Sequence, residues 1–144
     1  MAHLLPDYRV LSRGTQAWNV GRGADRRMVA AADAAFGIDL MAHRASQFQM
    51  GDLDWADIVF APDKCVVQEL ADLGAGGSLV RLMMDDLSEI ADPYGGDDRC
   101  YAAAAELVVR ATERICDWLS DCERSGFRNI ATTGPGRLSP GYVR

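Results

Sequence analysis

The run Ala91-Asp92-Pro93-Tyr94-Gly95-Gly96-Asp97-Asp98 holds the residue types best suited to proton transfer in this 144-residue chain. Pro93 fixes the backbone beside Asp92, and Tyr94 sets an aromatic ring next to it. A rigidly placed carboxylic acid against an aromatic wall is what protonating a leaving oxygen requires. Segment 85–98 also carries Asp85, Asp86, Glu89, Asp97 and Asp98. Asp97 and Asp98 are accounted for by the helix that follows, whose positive end favours acidic groups. The register lacks the alternate oxygen ligands and the glycine of a calcium loop, so no metal is expected there. Far upstream, Ser12-Arg13-Gly14-Thr15-Gln16-Ala17-Trp18 supplies a hydroxyl and a second aromatic, and His43-Arg44 adds an imidazole.

The elements that must position these residues are read from periodicity and punctuation. Tyr8 to Ser12 has the composition of a short strand. Asp25 is a helix cap ahead of Met28, Ala31, Ala32, Ala35 and Phe36 at helical spacing, and Gly37 stops that helix. Residues 38–49 form a connector. Ala56 to Ala61 reads as a compact buried strand, and Pro62-Asp63 opens a helix ending at Gly74. Leu79 to Met84 is the next strand. From Asp98 a long helix presents Tyr101, Ala104, Val108, Ala111, Ile115, Leu119 and Cys122 on one face. Strands alternating with helices predict an α/β domain with an open parallel sheet flanked by helices over residues 1–124. Residues 125–144 are rich in Gly and Pro and are expected to be a disordered tail.

Bulk properties narrow the function classes. Apolar residues at 49% and charged residues at 25% describe one globular domain. A net charge of −6 argues against nucleic acid and anionic membrane as partners. No apolar run is long enough to span a bilayer, and residues 1–10 do not read as a signal peptide. Cys65, Cys100, Cys116 and Cys122 show no metal-ligand spacing and mostly fall on helical patterns, as expected of reduced, packed thiols in a cytoplasm.

Four segments together resemble the low-molecular-weight protein tyrosine phosphatases. They are Ser12-Arg13-Gly14-Thr15 with Ala17-Trp18-Asn19-Val20-Gly21; Gly37-Ile38-Asp39-Leu40 with His43-Arg44-Ala45; Asp57-Ile58-Val59-Phe60-Ala61; and Asp92-Pro93-Tyr94-Gly95-Gly96. They occur in that family's order and spacing, and the last resembles the bacterial branch that includes protein arginine phosphatases. The resemblance implies that Asp92 is the general acid and later the base for water. It further implies that Trp18 and Tyr94 flank the substrate, and that Ser12 and His43 hydrogen-bond in support of the phosphate loop. A phosphoprotein is the implied substrate, phosphotyrosine or phosphoarginine, with no cofactor.

One part of the pattern is not matched. In the resembled family a cysteine thiolate in Cys-x5-Arg-Ser/Thr, after the first strand and opening the first helix, attacks phosphorus. Only eleven residues precede Ser12, so the first strand, phosphate loop and first helix are expected to be missing. The loss would leave neighbouring strands unpaired, with strand-exchanged homo-oligomers as an expected consequence. Cys122 and Arg128 satisfy Cys-x5-Arg literally, but Cys122 continues a helix and Asn129 replaces Ser or Thr. Ile130 to Pro140 has the form of a degenerate strand and loop, a candidate for the vacant strand position. The expected function is therefore that of a phosphatase-family protein without a nucleophile, inactive as written. A pseudophosphatase serving as a binding or regulatory module is the alternative, and an unrelated α/β protein with a structural acidic loop is a third.

Overall fold

The computed structural model describes residues 8–84 and 86–124. Its elements follow the chain as helix α1 (Arg26–Phe36), strand β1 (Val59–Ala61), helix α2 (Lys64–Asp72), strand β2 (Val80–Leu82) and helix α3 (Asp98–Arg124), with short 3-10 turns at Ala17–Asn19, Met50–Asp54 and Gly77–Leu79. β1 and β2 pair in parallel, with Val59 opposite Val80 and Ala61 opposite Leu82. A parallel pair needs a crossover, and α2 provides it.

Local chemistry explains the helix ends. The Asp25 carboxylate accepts from the Arg27 N–H, and Gly37, at φ 64°, closes α1 by donating to Ala32 and Asp33 carbonyls. Asp63 caps α2 by accepting from Val66 N–H at 2.7 Å. The sheet separates two apolar layers by the strand alternation. Val59, Ala61 and Val80 pack with Leu70 and Phe48 on the α2 side. Ile58, Phe60 and Met83 pack with Ile115, Trp118 and Leu119 of α3 on the other. α1 lies along α3.

The open parallel α/β arrangement matches the expectation from sequence, with several corrections. Tyr8 to Ser12 form no strand; the pairing of this stretch is a single parallel bridge from Gly14 to Gln47. The two observed strands are shorter than Ala56–Ala61 and Leu79–Met84, because their ends turn into loops carrying Asp57 and Met83. On α3, six of the seven residues of the expected stripe are buried; Val108 is the exception at 39% exposed, and Trp118 joins the buried side at 3%. Cys116 and Cys122 are buried, but Cys65 and Cys100 are exposed, so packing accounts for only half of the thiols. The segments 125–144 and 130–140, and with them Arg128, lie outside the described residues.

Candidate active site

The loop after β2 presents Asp92 at the C-terminal edge of the sheet, the end at which open parallel sheets carry their sites. Asp92 is exposed, and its Oδ1 accepts from the Tyr94 N–H at 2.9 Å. This Asx turn runs into a β-turn in which Gly96 N–H donates to the Pro93 carbonyl at 2.9 Å. Gly95 sits at the third position of that turn with φ 83°, where a side chain is strained. Gly96 is needed for a different reason: an added Cβ would lie 2.8 Å from both Cβ and Sγ of Cys100. The Gly-Gly pair therefore lets the acid loop fold back on the start of α3.

A second contact holds the loop from the other side. Arg27, in the first turn of α1, donates from Nη1 to the Gly96 carbonyl at 2.8 Å. Its Nη2 donates to the Tyr101 hydroxyl at 2.9 Å, and that hydroxyl donates to Asp25 Oδ2 at 3.1 Å. The guanidinium also stacks over the Tyr101 ring at 4.3 Å. Asp25, Arg27, Tyr101 and Gly96 thus tie α1, α3 and the acid loop together. Nothing in the sequence reading singled out Arg27 or Tyr101 for this role. The signal available was the pair Asp25 and Arg27 at a helix start, which by itself reads as capping.

Electrostatics follow the geometry. The Arg27 backbone N–H, followed by its guanidinium, holds the Asp25 carboxyl below the usual carboxylate range. Burial, then the hydrogen bond to Asp25, pushes the Tyr101 phenol up. Asp97 is lowered by the Cys100 N–H that it caps, and Asp52 by the Arg13 guanidinium. Lowered carboxyls contribute stability that is complete above their unfolded values near pH 4 and is lost as pH falls through the folded values. Cys116, pushed up by burial, and Tyr101 act only at alkaline pH, where their contribution is lost as pH rises. The melting temperature is therefore expected to be flat between about pH 5 and pH 8 and to fall below about pH 4. Thermal melts across that range check this, and a melting temperature unchanged at pH 3 would contradict it.

The other expected site residues are placed as follows. Trp18 is 71% exposed and Tyr94 81% exposed, each ring presented to solvent. Ser12 takes part through its carbonyl, which accepts from Arg13 Nη1 at 3.1 Å and from Ser46 Oγ at 3.4 Å. His43 is exposed, and its N–H donates to the Leu40 carbonyl at 3.1 Å. The Trp18 and His43 segments are joined by Gly21 N–H to Ala45 carbonyl, 2.8 Å, and Ala45 N–H to Arg22 carbonyl, 2.9 Å. Asp92 and Tyr94 are brought together directly. No hydrogen bond or ion pair among the described residues joins Ser12, Trp18 or His43 to them. A cavity of about 430 Å³ lies among Arg13, Ser46, Gln47 and Asp52. Its arginine is committed to Asp52 at 3.0 and 3.2 Å and is not available as an anion anchor.

None of the cysteines stands in a loop after a strand. Cys65 lies in α2, and Cys100, Cys116 and Cys122 lie in α3. Among the described residues there is no group of His, Cys, Asp and Glu able to hold a metal ion, and no helix long and apolar enough to cross a membrane.

An open parallel α/β sheet with a clamped aspartate loop at its C-terminal edge defines the class as an α/β protein with a phosphatase-like architecture. The chain belongs to the low molecular weight phosphotyrosine protein phosphatase family, whose model matches residues 1–124. No curated protein sequence matches significantly. Solved structures do. The tyrosine phosphatase Wzb from Escherichia coli K30, in complex with sulphate, is 23% identical with a TM-score of 0.75, over 82% of this chain and 83% of that one. A protein tyrosine phosphatase is 26% identical with a TM-score of 0.73, over 83% and 82%. The arginine phosphatase YwlE from Geobacillus stearothermophilus is 21% identical with a TM-score of 0.63, over 74% and 71%.

Proposed function

We propose that this chain carries the acid-loop half of a phosphoprotein phosphatase site and that residues 1–144 alone do not turn over substrate. Asp92 is the proton donor to the leaving oxygen. Trp18 and Tyr94 flank the phosphorylated side chain, while Ser12 and His43 support the phosphate-binding loop. The observation that carries this reading is the placement of Asp92. It is held by its own Asx turn on a loop clamped by Arg27, so that an acid and an aromatic ring occupy fixed, solvent-facing positions. Residues 1–124 form the functional unit. The substrate class is phosphotyrosine or phosphoarginine, the substrates named for the structural neighbours.

The thiols support the second half of the proposal. Nucleophilic attack on phosphorus needs a thiolate surrounded by backbone N–H groups and an arginine. Cys122 is buried in the α3 core beside Phe60 and Trp118, where no phosphate can reach it. Cys65 and Cys100 are exposed in the first turns of α2 and α3, but neither is followed by an arginine six residues on. Two exposed thiols without a disulfide fit a reducing compartment such as the cytoplasm. The solvent-facing Trp18 and Tyr94 favour a second reading, a pseudophosphatase module that binds phosphoproteins without hydrolysing them.

The test is hydrolysis of an aryl phosphate by the 144-residue protein, alongside binding of a phosphotyrosine peptide. No turnover above the uncatalysed rate is expected. Turnover at the rate of an intact family enzyme would overturn the proposal and direct attention to a replacement nucleophile. Peptide binding without turnover would favour the module.

A further inference from the structure

The charge of this chain is divided along its length. Residues 8–49 hold six arginines against three aspartates, whereas residues 50–124 hold six basic and seventeen acidic side chains. On an acidic protein a basic side chain has carboxylates within easy reach, and several here use them. Arg13 pairs with Asp52, Arg27 with Asp25 and Lys64 with Glu89. Arg22, Arg26 and Arg44 do not. All three are exposed, and none pairs with a carboxylate among the described residues. Arg22 reaches the Asn19 side chain at 3.5 Å. Arg44 Nη1 donates to the Met41 carbonyl at 2.9 Å and the His43 carbonyl at 2.6 Å. Those bonds hold its guanidinium in place and leave Nε and Nη2 without a hydrogen bond among the described residues.

Arg26 and Arg44 line a surface cavity of about 290 Å³ whose apolar lining is Val29, Leu40 and Met41. Arg26 and Val29 are three residues apart in α1 and so share one face of that helix. Arg44 stands with Leu40 and Met41 on the other side. Met41 is 68% exposed, an apolar side chain left in solvent beside unpaired cations. Arg22 is brought alongside because its carbonyl accepts from the Ala45 N–H, next to Arg44, at 2.9 Å.

We propose that this cavity docks an acidic peptide segment. An aliphatic side chain of the segment sits among Val29, Leu40 and Met41, and carboxylates flanking it pair with Arg22, Arg26 and Arg44. Charge complementarity selects this occupant. A guanidinium fork takes a carboxylate through two parallel N–H bonds, and a basic segment is repelled by the same groups. A bare anion would leave the apolar lining uncovered. Exposed ion pairs are individually weak, so the aliphatic anchor and the three charges act together. The cavity also adjoins the Trp18 turn. Gly21 and Arg22 follow that turn directly, and both pair with Ala45. A phosphorylated side chain held against Trp18 would carry neighbouring residues of its own chain toward the arginines. Taking the acidic segment to belong to the phosphoprotein rests on the reading under Proposed function; the docking itself does not.

NMR titration of the full 144-residue protein with the unphosphorylated peptide Glu-Glu-Leu-Glu-Glu tests it, beside Gln-Gln-Leu-Gln-Gln and Lys-Lys-Leu-Lys-Lys. The acidic peptide is expected to shift the signals of Val29 and Met41 with a Kd of about 0.1–1 mM at low salt, at least about tenfold tighter than either control. Arg26→Glu is expected to weaken it about fivefold or more, and salt at about 0.5 M to weaken it as well. Arg26 makes no ion pair that its loss would break, so this variant is expected to melt as the unaltered chain does. Met41→Ser is a second variant, expected to weaken binding about threefold. Equal binding of the glutamine peptide, or an unchanged Kd in Arg26→Glu, would overturn the proposal. So would inorganic phosphate shifting the same signals as strongly as the peptide, which would make this a simple anion site. Self-association lost in Arg26→Glu would assign the face to a second copy and overturn it too. Adding phosphotyrosine ahead of the acidic run separates the two readings. No gain in affinity, with the shifts at Val29 and Met41 intact, would sink the phosphoprotein reading while upholding the docking.

Discussion

Asp92→Asn is expected to lower kcat toward an aryl phosphate by about 10²- to 10⁴-fold, the range for loss of a positioned general acid. The measurement uses this chain fused behind a family strand, Cys-x5-Arg loop and helix, so that a nucleophile is present. Asparagine keeps the Oδ1 that accepts from the Tyr94 N–H, so the Asx turn and the clamp at Gly96 survive while the transferable proton is lost. The defect is expected to shrink as the leaving phenol becomes more acidic, because a good leaving group needs no proton. A loss caused by a collapsed loop would instead be the same for every leaving group. Asp97→Asn is the control on the same loop. Asp97 caps α3 through Arg99 and Cys100 N–H, both at 3.1 Å, and its substitution is expected to leave the leaving-group dependence unchanged. If Asp92→Asn retains full activity with a poor leaving group, the acid lies elsewhere.

What was legible in the sequence divides along the range of the interactions involved. The ends of α1 were readable because capping is chemistry within a few residues: Asp25 bonds Arg27, and Gly37 alone reverses the chain. The acid loop was readable for the same reason, since Asp92, Pro93, Tyr94 and the two glycines form one local turn. Tyr8 to Ser12 misled because strand composition is not strand pairing. A ladder needs a partner, and partners are set by the whole fold. The clamp was invisible because it joins residues 69 and 74 positions apart, Arg27 with Gly96 and Arg27 with Tyr101.

The stripe on α3 shows a subtler limit. A single face from Tyr101 to Cys122 was projected, and all of it but Val108 is buried, but this helix serves two layers. Its N-terminal half meets α1, while its C-terminal half meets Ile58, Phe60 and Met83 of the sheet. Val108 lies on that same face, between Ala104 and Ala111, yet is 39% exposed, while Trp118 at its margin is buried against Phe60. Periodicity reports how one face repeats; it does not report that the neighbour changes along the way.

That division of α3 identifies the most damaging core substitution. Ile115 is 0% exposed and belongs to the cluster with Trp118, Leu119 and Cys122 that carries the sheet face bearing Phe60. Ile115→Ala is expected to cost about 2–5 kcal/mol in urea or thermal unfolding, from the lost transfer energy and the cavity left behind. The upper part of that range is favoured by the surroundings. Trp118 and Leu119 are fixed on the same helix, and Phe60 is braced edge-on against Trp118, so the walls have little freedom to close the gap. Against a typical stability of about 5–15 kcal/mol, this single change removes a large share. Val108→Ala, at a partly exposed position of the same helix, is expected to stay within about 0.5 kcal/mol, and it separates packing from helix propensity. A cost for Ile115→Ala below about 1 kcal/mol would mean that the α3 layer is loosely packed. An acid loop tied to that helix through Arg27 and Tyr101 would then lack the rigid support on which a fixed Asp92 depends.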